Sequence, residues 1–306
     1  MTRGDQLQAI CPICKQVEFR RRFIKKGRTF YRCLRCGLEK QHPLPTAAAL
    51  KEYYEESYAA GMYRTFAAAQ QMKLLTAQAR LRQLEGIVPL HGKWLDVGCA
   101  NGVLVQAARE RGIDAEGVEL SANAVAEALK ANIPVRAGTL ADIHASQTYD
   151  CITAFDVLEH VIDPVEFLAQ VVERLKPGGS AVITVPNRRS WPARLMGSRW
   201  YFYIPEEHLH YFDPTTLRSL ASSFALKTTV TRPTYKPLTF DYALTQFAEY
   251  NPVIFRLMSV AGWLLPKAMR SAVVPLYIGE VMLVAQKPLE PLWAETSVDR
   301  SAVLAG

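Results

Sequence analysis

The chain has 306 residues, of which 49% are hydrophobic, 10% aromatic and 21% charged. These proportions are typical of a globular protein, and they exclude a disordered chain, a collagen-like fibre and a coiled coil. The formal net charge of +7 is concentrated at the start, because residues 1–40 contain eleven Lys and Arg against three Asp and Glu. An anionic partner of the protein is therefore expected to meet this segment.

The first residues, MTRGDQLQAI, lack the apolar run of a secretory signal, and charged residues and prolines interrupt the most apolar late stretch. Six cysteines in a chain of this length do not indicate a secreted disulfide framework. We therefore expect a cytoplasmic protein, with a peripheral position at the inner face of the membrane as an option that the late apolar segment raises.

Four cysteines form two CxxC pairs, CPIC and CLRC, on either side of two β-favouring runs and a KKGR turn. Such a hairpin brings its two CxxC turns together, and four thiolates satisfy the tetrahedral geometry of Zn²⁺. A pair of disulfides is the alternative, which a reducing location disfavours. We therefore predict a zinc ribbon over residues 1–45, with a structural zinc ion bound by Cys11, Cys14, Cys33 and Cys36.

A helical connector is predicted over residues 46–90, where Thr46 can cap the first helix and Gly86 and Pro89 follow the second. Four tyrosines of this connector either pack against neighbouring elements or form a lid over a ligand: Tyr53, Tyr54, Tyr58 and Tyr63.

Short apolar runs alternate with helix-length segments over residues 91–288. The runs are KWLDVGC, AEGVEL, IPVRAGT, YDCITAFDV and SAVITVPN. Apolar strands separated by helices predict a parallel sheet with helices on both faces, which is the α/β fold class. Residues 289–306 are assigned to a tail.

The turn after the first of these strands reads DVGCANG, with Gly98 and Gly102 at either side of a strand-to-helix loop. Glycine lets a ligand approach the backbone closely, and the helix N-terminus favours an anionic group. Glu119 ends the next strand, 21 residues after Gly98, which is the offset expected for an acid that binds two ribose hydroxyls. The nicotinamide fingerprint GxGxxG does not fit GCANG.

The motifs KWLDVGCANG, GVEL, YDCITAFDVLEHVIDP and LKPGGSAVITVPNR follow one another in the order of class I S-adenosylmethionine-dependent methyltransferases, and the chain resembles that family. The string DVLEHV…DP…LKPGG…PNR is similar to the ubiquinone-pathway O-methyltransferases. The N-terminal motifs resemble bacterial methyltransferases with a zinc-ribbon preface, often associated with sugar or surface-glycan pathways. The resemblance covers about Cys11 to Lys287 and implies a Rossmann-like, seven-stranded methyltransferase domain.

The resemblance also implies S-adenosylmethionine (SAM) as the cofactor. Glu119 would bind its ribose, and Leu120 would pack on its adenine. Five residues would surround its methionine end: Asp96, Gly98, Cys99, Ala100 and Gly102.

The resemblance also implies which residues contact the adenine amine and the methyl group of the cofactor. Many relatives carry GDxxD after the third strand, but this chain has GTLADI, with Thr139 at the first acidic position. Asp142 is therefore the candidate for the adenine contact, with a backbone group as the alternative. Phe155 and Asp156 would border the methyl group.

A sulfonium methyl donor needs little covalent help, and positioning contributes most of the rate. A base is required when the acceptor is poorly ionised. The candidates are His160 in VLEHV and the pair His208 and His210 in PEEHLHYF. A structural role is the alternative for each.

The expected function is methyl transfer from SAM to a small-molecule, sugar or lipid-linked acceptor, with oxygen as the preferred acceptor atom. A zinc-ribbon RNA methyltransferase is an alternative, because aromatic residues are interleaved with the basic hairpin over Arg20–Arg35. No NPPY-like loop follows the fourth strand, which counts against it. A non-catalytic paralogue that binds cofactor is a third reading, which the intact glycine loop and Glu119 disfavour.

A final antiparallel strand pair is expected near LKTTVTR and GEVMLVAQK, and such strands are normally joined by a short turn. Here an insert over residues 233–277 intervenes, rich in large apolar side chains with Arg256, Lys267 and Arg270 among them. This pattern fits three structures: a helical cap on the core, a lid over an apolar acceptor pocket, or a helix at a membrane surface.

Overall fold

The computed structural model describes residues 6–59, 67–244 and 252–289. Strands occupy Gln6–Gln8 (β1), Glu18–Lys25 (β2), Arg28–Cys33 (β3), Glu39–His42 (β4), Lys93–Val97 (β5), Asp114–Glu119 (β6), Val135–Ala137 (β7), Tyr149–Phe155 (β8), Leu175–Pro186 (β9), His210–Tyr211 (β10), Lys227–Leu238 (β11) and Val274–Gln286 (β12). The principal helices are Ala47–Ala59 (α1), Ala67–Leu84 (α2), Val103–Arg109 (α3), Ala122–Lys130 (α4), Pro164–Arg174 (α5), Trp191–Met196 (α6), Pro214–Ser222 (α7), Pro252–Leu264 (α8) and Lys267–Ser271 (α9).

The larger sheet has seven strands in the order β11-β12-β9-β8-β5-β6-β7. Strands β5 to β9 pair in parallel, while β12 is antiparallel to both β9 and β11. The central strands bury apolar side chains on both faces, Leu95 and Ile152 on one and Trp94 and Val182 on the other, because helices cover both sides. This confirms the predicted seven-stranded α/β fold.

Side-chain caps explain where three of the covering helices begin. Ser121 accepts a hydrogen bond from the Ala124 amide at the start of α4. Asp163 caps α5 and Asp213 caps α7, and in both helices a proline occupies the first turn. These capping residues and prolines are local signals, so the starts of the helices agree with those expected from the sequence.

The N-terminal sheet has five strands, in the order β1-β2-β3-β4-β10. Strands β2 and β3 form the predicted hairpin, with Lys26 and Gly27 in the turn at positive φ. The fifth strand comes from much later in the chain, where His210 pairs with Lys40 and Tyr211 with Glu39. The ribbon sheet is thus completed by a strand from outside the ribbon.

A buried charge network also joins the ribbon to the larger domain. Arg188 forms a very short ion pair with Asp213, and its other nitrogen lies 3.8 Å from the Glu39 carboxylate. Tyr203 donates a 2.7 Å hydrogen bond to the same Glu39. Charged groups this deeply buried need partners, so the network fixes how the ribbon packs against the domain.

The helical connector is formed by α1 and α2. Of its four tyrosines, Tyr53 donates a 3.1 Å hydrogen bond to Glu207, which ties α1 to the segment before β10. Tyr63 lies outside the described residues, and so do the side chains of Tyr54 and Tyr58.

The final antiparallel pair, β11 and β12, is longer than the sequence predicts. Leu238 pairs with Val274, so the hairpin extends into both ends of the predicted insert over 233–277. The connection between the strands runs from 239 to 273 and contains α8 and α9. None of the helices in the described parts of the chain is both long and apolar enough to cross a membrane. Only residue 289 of the predicted tail, 289–306, is described.

Candidate active site

The glycine loop after β5 has a backbone that most side chains would disfavour. Gly98, Ala100 and Gly102 all have positive φ, at 66°, 48° and 77°. A Cβ at Gly98 would lie 2.7 Å from Val157 Cγ2, and one at Gly102 would lie 2.8 Å from a methyl of Ile133. Both glycines are therefore required, because the turn needs positive φ and because Val157 and Ile133 leave no room for a Cβ. The turn places the amides of the loop near the carboxyl edge of the sheet.

Glu119 lies directly against this loop. One carboxylate oxygen accepts a 2.9 Å hydrogen bond from the Ala100 amide, and the other accepts a 2.8 Å bond from the Ser121 amide. The next residue, Leu120, leaves 36% of its surface exposed. The glycine loop, Glu119 and Leu120 are thus neighbours, as the sequence analysis expects of a site that binds the nucleoside part of the cofactor.

Two further predicted residues lie beneath the loop. Asp96 is buried, and burial raises its pKa to about 7 although the Thr153 hydroxyl donates a 2.6 Å hydrogen bond to it. The Cys99 thiol is also buried, and burial raises its pKa far above the ordinary value. A side chain at Gly117 would overlap the Cys99 sulfur, so this glycine, which the sequence analysis missed, makes room for the thiol.

Asp142 ends a single 3₁₀ turn, Leu140–Asp142. Its carboxylate accepts hydrogen bonds from the Thr139 amide at 2.7 Å and the Thr139 hydroxyl at 2.9 Å. These bonds lower the pKa of Asp142. The carboxylate thus supports its own turn, and its predicted contact with adenine stays a prediction.

Asp156 follows β8 and has positive φ, at 60°. One carboxylate oxygen accepts hydrogen bonds from Arg80 at 2.5 Å and Lys236 at 3.0 Å, and the other accepts one from the Thr184 hydroxyl at 2.9 Å. Burial alone would raise the pKa of Asp156, but the positive charges of Lys236 and Arg80 lower it. Asp156 is therefore an immobilised carboxylate rather than a proton carrier.

The partners of Asp156 come from distant elements and were missed by the sequence analysis. Arg80, on α2, also lies over the ring of Phe155, 4.4 Å from its centroid. Lys236, on β11, donates a second hydrogen bond, 2.5 Å long, to the buried Glu280 on β12. The predicted pair Phe155 and Asp156 is thus covered by α2 and by the terminal hairpin.

His160 and His208 lie together close to Asp156. Their rings pack edge to face with centroids 4.7 Å apart. Nδ1 of His208 lies 2.7 Å from the Phe202 carbonyl oxygen. Because a carbonyl can only accept, Nδ1 carries the proton, and the lone pair of the neutral ring is on Nε2. Burial lowers the pKa of His160 to about 4, and burial together with His160 lowers that of His208 well below its ordinary range.

Glu159 is the third member of this group, and the sequence analysis did not single it out. Its side chain is buried, and neither carboxylate oxygen has a hydrogen-bond partner. Burial, and then the charge of Asp156, raises the pKa of Glu159 well above its ordinary value. Glu159, His160 and His208 offer ligand atoms within 4.8 Å of one another, so the cluster could also hold a divalent cation.

His210 has a different environment from the other two histidines. It lies on β10, within the ribbon sheet, and its Nε2 donates a 3.1 Å hydrogen bond to the Ile162 carbonyl. Burial lowers its pKa to about 4. These contacts fix the β10 segment against the loop before α5, which favours the structural alternative for His210.

The four ribbon cysteines form a second cluster, with all sulfur atoms within 4.8 Å of one another. Cys11 and Cys36 have their sulfur atoms 3.6 Å apart, and Cys14 and Cys33 have theirs 3.5 Å apart. A tetrahedral site with Zn–S bonds of about 2.3 Å has sulfur atoms about 3.8 Å apart, so these four residues fit a zinc ion. The distances are too long for disulfide bonds, which are about 2.05 Å.

The seven-stranded sheet with an acid-flanked glycine loop at its carboxyl edge defines a class of protein, the Rossmann-like enzymes that bind an adenosyl cofactor. The model of the methyltransferase domain family matches residues 67–229, which is more than half of the chain. The chain belongs to this family and is a SAM-dependent methyltransferase.

Relatives and solved structures agree with this assignment. The ubiquinone biosynthesis O-methyltransferase of Psychrobacter arcticus is 31% identical over 179 residues, which are 52% of this chain and 68% of that protein. The same enzyme from Paracidovorax citrulli is 29% identical over 190 residues, 56% of this chain and 79% of its own length.

Two solved structures share the fold at low sequence identity. Magnesium protoporphyrin IX methyltransferase from Synechocystis PCC 6803, solved with bound SAH, has a TM-score of 0.53 at 13% identity, over 79% of this chain and 100% of that one. A SAM-dependent methyltransferase from Thermotoga maritima has a TM-score of 0.51 at 16% identity, over 78% of this chain and 99% of its own.

Proposed function

We propose that the protein transfers the methyl group of SAM to a hydroxyl oxygen of a small-molecule, sugar or lipid-linked acceptor. The observation that carries this proposal is the neutral His208, held by the Phe202 carbonyl through Nδ1 so that the lone pair of the ring is on Nε2. The relatives named as O-methyltransferases support oxygen as the acceptor atom. In this proposal the four ribbon cysteines bind a zinc ion that stabilises the ribbon and takes no part in the chemistry.

SAM supplies an electrophilic methyl group on a sulfonium, and the chain has to bind, orient and shield it. The loop from Gly98 to Gly102, with Asp96 beneath it, holds the methionine end. Backbone amides hold both carboxylate oxygens of Glu119 in place, and each oxygen has a second lone pair that can accept from a ribose hydroxyl. Leu120 offers an apolar surface to the adenine. Phe155 and the fixed Asp156 border the position of the methyl group.

The acceptor hydroxyl must lose its proton as its oxygen attacks. In the proposed mechanism Nε2 of His208 takes that proton, while Nδ1 keeps the hydrogen bond to Phe202 and holds the ring in place. The negative charge of Asp156 acts on both His160 and His208 and favours the protonated ring that forms. His160 packs on His208 and keeps its orientation.

The same cluster has a second possible use. Two carboxylate oxygens of Glu159 are buried without hydrogen bonds, and such oxygens are normally satisfied by a proton or a cation. A divalent ion held by Glu159, His160 and His208 would bind the acceptor oxygen directly and lower its pKa. Loss of turnover in chelator with recovery in added Mg²⁺, which the four ribbon thiolates do not bind, would favour this use over base catalysis.

The test is a labelled methyl-transfer assay with the full chain against phenols, sugar nucleotides, a lipid extract and RNA. In the His208→Asn variant the amide can replace Nδ1–H but supplies no base, so turnover should fall about 100-fold or more while the affinity for SAM is unchanged. His210→Gln is the matched control, because its amide can replace Nε2–H, and it should keep its turnover.

Three outcomes would change the proposal. Full turnover in His208→Asn would refute the base. Label that enters only RNA would support the RNA methyltransferase alternative. Tight binding of SAM, measured by calorimetry, without transfer to any of the four pools would support the non-catalytic paralogue.

A further inference from the structure

Large apolar side chains are exposed together in one segment late in the chain. Seventeen large hydrophobic side chains are exposed among the described residues, and seven of them lie between residues 260 and 276. These seven form what we call the docking surface: Val260, Trp263, Leu264, Met269, Val273, Val274 and Leu276. Single exposed apolar residues are ordinary, but a concentration within one short segment indicates an interaction site.

The way α8 packs explains why these side chains face outward. Gly262 is buried, and a Cβ there would lie 2.8 Å from the Phe240 ring, so the helix rests on Phe240 at this point. The next two residues, Trp263 and Leu264, are 85% and 70% exposed. They therefore do not pack on the domain core, as a helical cap would require. Arg270 of α9 contacts the Gly262 carbonyl and keeps the two helices together.

The charged residues within the segment that carries the docking surface have one sign. Residues 252–276 contain Arg256, Lys267 and Arg270 and neither Asp nor Glu. Arg256 and Lys267 are exposed, while Arg270 lies 3.5 Å from the Asp241 carboxylate. The segment thus combines exposed aliphatic side chains, an exposed tryptophan and two exposed cations, Arg256 and Lys267, that have no ion-pair partner among the described residues.

We propose that the docking surface binds an anionic lipid bilayer and lies in its interfacial layer. Tryptophan favours the headgroup level, apolar neighbours enter the acyl boundary, and Lys and Arg attract anionic headgroups. Helix α8 has 13 residues, too few for a span of about 20, so it rests on the membrane instead of crossing it.

A second copy of the chain is a less suitable occupant. Self-association through this surface would bring Lys267 and Arg256 close to the same cations of the partner, and like charges at an interface are unfavourable. A bilayer with anionic lipid supplies both the apolar layer and the opposite charge.

The docking surface is continuous with the terminal hairpin of the active site. It ends in β12 at Leu276, four residues before Glu280, which pairs with Lys236 and through it with Asp156. Binding there would hold the carboxyl edge of the sheet near the membrane. The proposal stands independently of which acceptor the enzyme uses.

The experiment is vesicle flotation of the full chain, with vesicles of phosphatidylcholine alone and of phosphatidylcholine mixed with phosphatidylglycerol. We expect binding to the mixed vesicles that weakens in high salt. The double variant Trp263→Glu/Leu264→Glu should lower the partition coefficient at least about tenfold, and Lys267→Glu should weaken binding to the mixed vesicles only. Leu129→Glu is the matched control, because Leu129 is 56% exposed on α4, at the other end of the sheet.

Circular dichroism and SAM affinity establish that each variant is folded, and neither measurement depends on the acceptor. The proposal is overturned if the wild type does not float with mixed vesicles, or if Trp263→Glu/Leu264→Glu floats as well as the wild type. It is also overturned if size-exclusion chromatography shows a dimer that this double variant dissociates while flotation is absent.

Discussion

Lys236 ties the terminal hairpin to the candidate active site, and its removal gives a quantitative test of the buried charge cluster. Its amine lies 3.0 Å from Asp156 and 2.5 Å from Glu280, which is 1% exposed. The variant Lys236→Met removes the charge, keeps most of the side-chain length, and leaves behind the buried Glu280 carboxylate and the partly exposed Asp156 carboxylate. Breaking a buried ion pair costs about 3–5 kcal/mol. Arg80 still pairs with Asp156 and Lys236 itself is 21% exposed, so we expect about 3 kcal/mol.

The double variant Lys236→Met/Glu280→Gln distinguishes two contributions to the loss of stability: the ion pair that is lost and the Glu280 carboxylate that is left buried without a partner. Removing the uncompensated carboxylate should recover most of the stability, so that the double variant is only about 1 kcal/mol less stable than the wild type. Urea unfolding followed by circular dichroism measures the free energies of all the variants.

The pH dependence provides a second readout. Burial, followed by the charge of Asp156, already raises the pKa of Glu280 above its ordinary value of 4.5, and loss of Lys236 raises it further. Above pH 4.5 the folded variant therefore keeps a proton on Glu280, which the unfolded chain releases. Its stability is therefore full at low pH and falls as the pH rises toward the folded pKa, by up to about 1.4 kcal/mol per pH unit. A loss below about 1 kcal/mol at pH 7, with no pH slope, would refute the reasoning.

Two further predictions concern the glycine loop and the zinc ribbon. Gly98→Ala adds a Cβ 2.7 Å from a methyl of Val157 at a φ of 66°, so it should destabilise the protein by about 1–3 kcal/mol and weaken SAM binding in calorimetry; unchanged affinity and stability would contradict this. Elemental analysis of reductively purified protein should find one zinc per chain, lost in Cys33→Ser together with a lower Tm but kept in Cys151→Ala. Zinc retained by Cys33→Ser would contradict the four-cysteine site.

The sequence alone indicated those parts of the site that depend on short segments. The loop at Gly98 and the acid Glu119 belong to one strand-turn-helix-strand unit, whose spacing is set by local geometry. The same holds for the cysteines, because a hairpin brings its two CxxC turns together whatever it packs against. These assignments needed only backbone propensities and residue chemistry.

Only the tertiary structure decided what surrounds Asp156 and where the histidines lie. Arg80, Lys236 and Glu280 come from α2, β11 and β12, and no periodicity within the sequence links them. Sheet pairing brings them together, so that the charges of Lys236 and Arg80 lower the pKa of Asp156 against the effect of burial, whereas burial and the charge of Asp156 raise the pKa of Glu159.

The difference between local and long-range interactions also explains which features of the zinc ribbon and of the insert between β11 and β12 could be predicted. The CxxC spacing indicated the ribbon, but the pairing of β10 with β4 depends on residues about 170 positions apart. The composition of the insert allowed a cap, a lid or a membrane helix. The exposure of Trp263 counts against a cap packed on the core, and exposure depends on which face of α8 rests on Phe240. Local segments fix which chemistry the chain carries, whereas long-range packing fixes which of those groups are buried, paired or left at the surface.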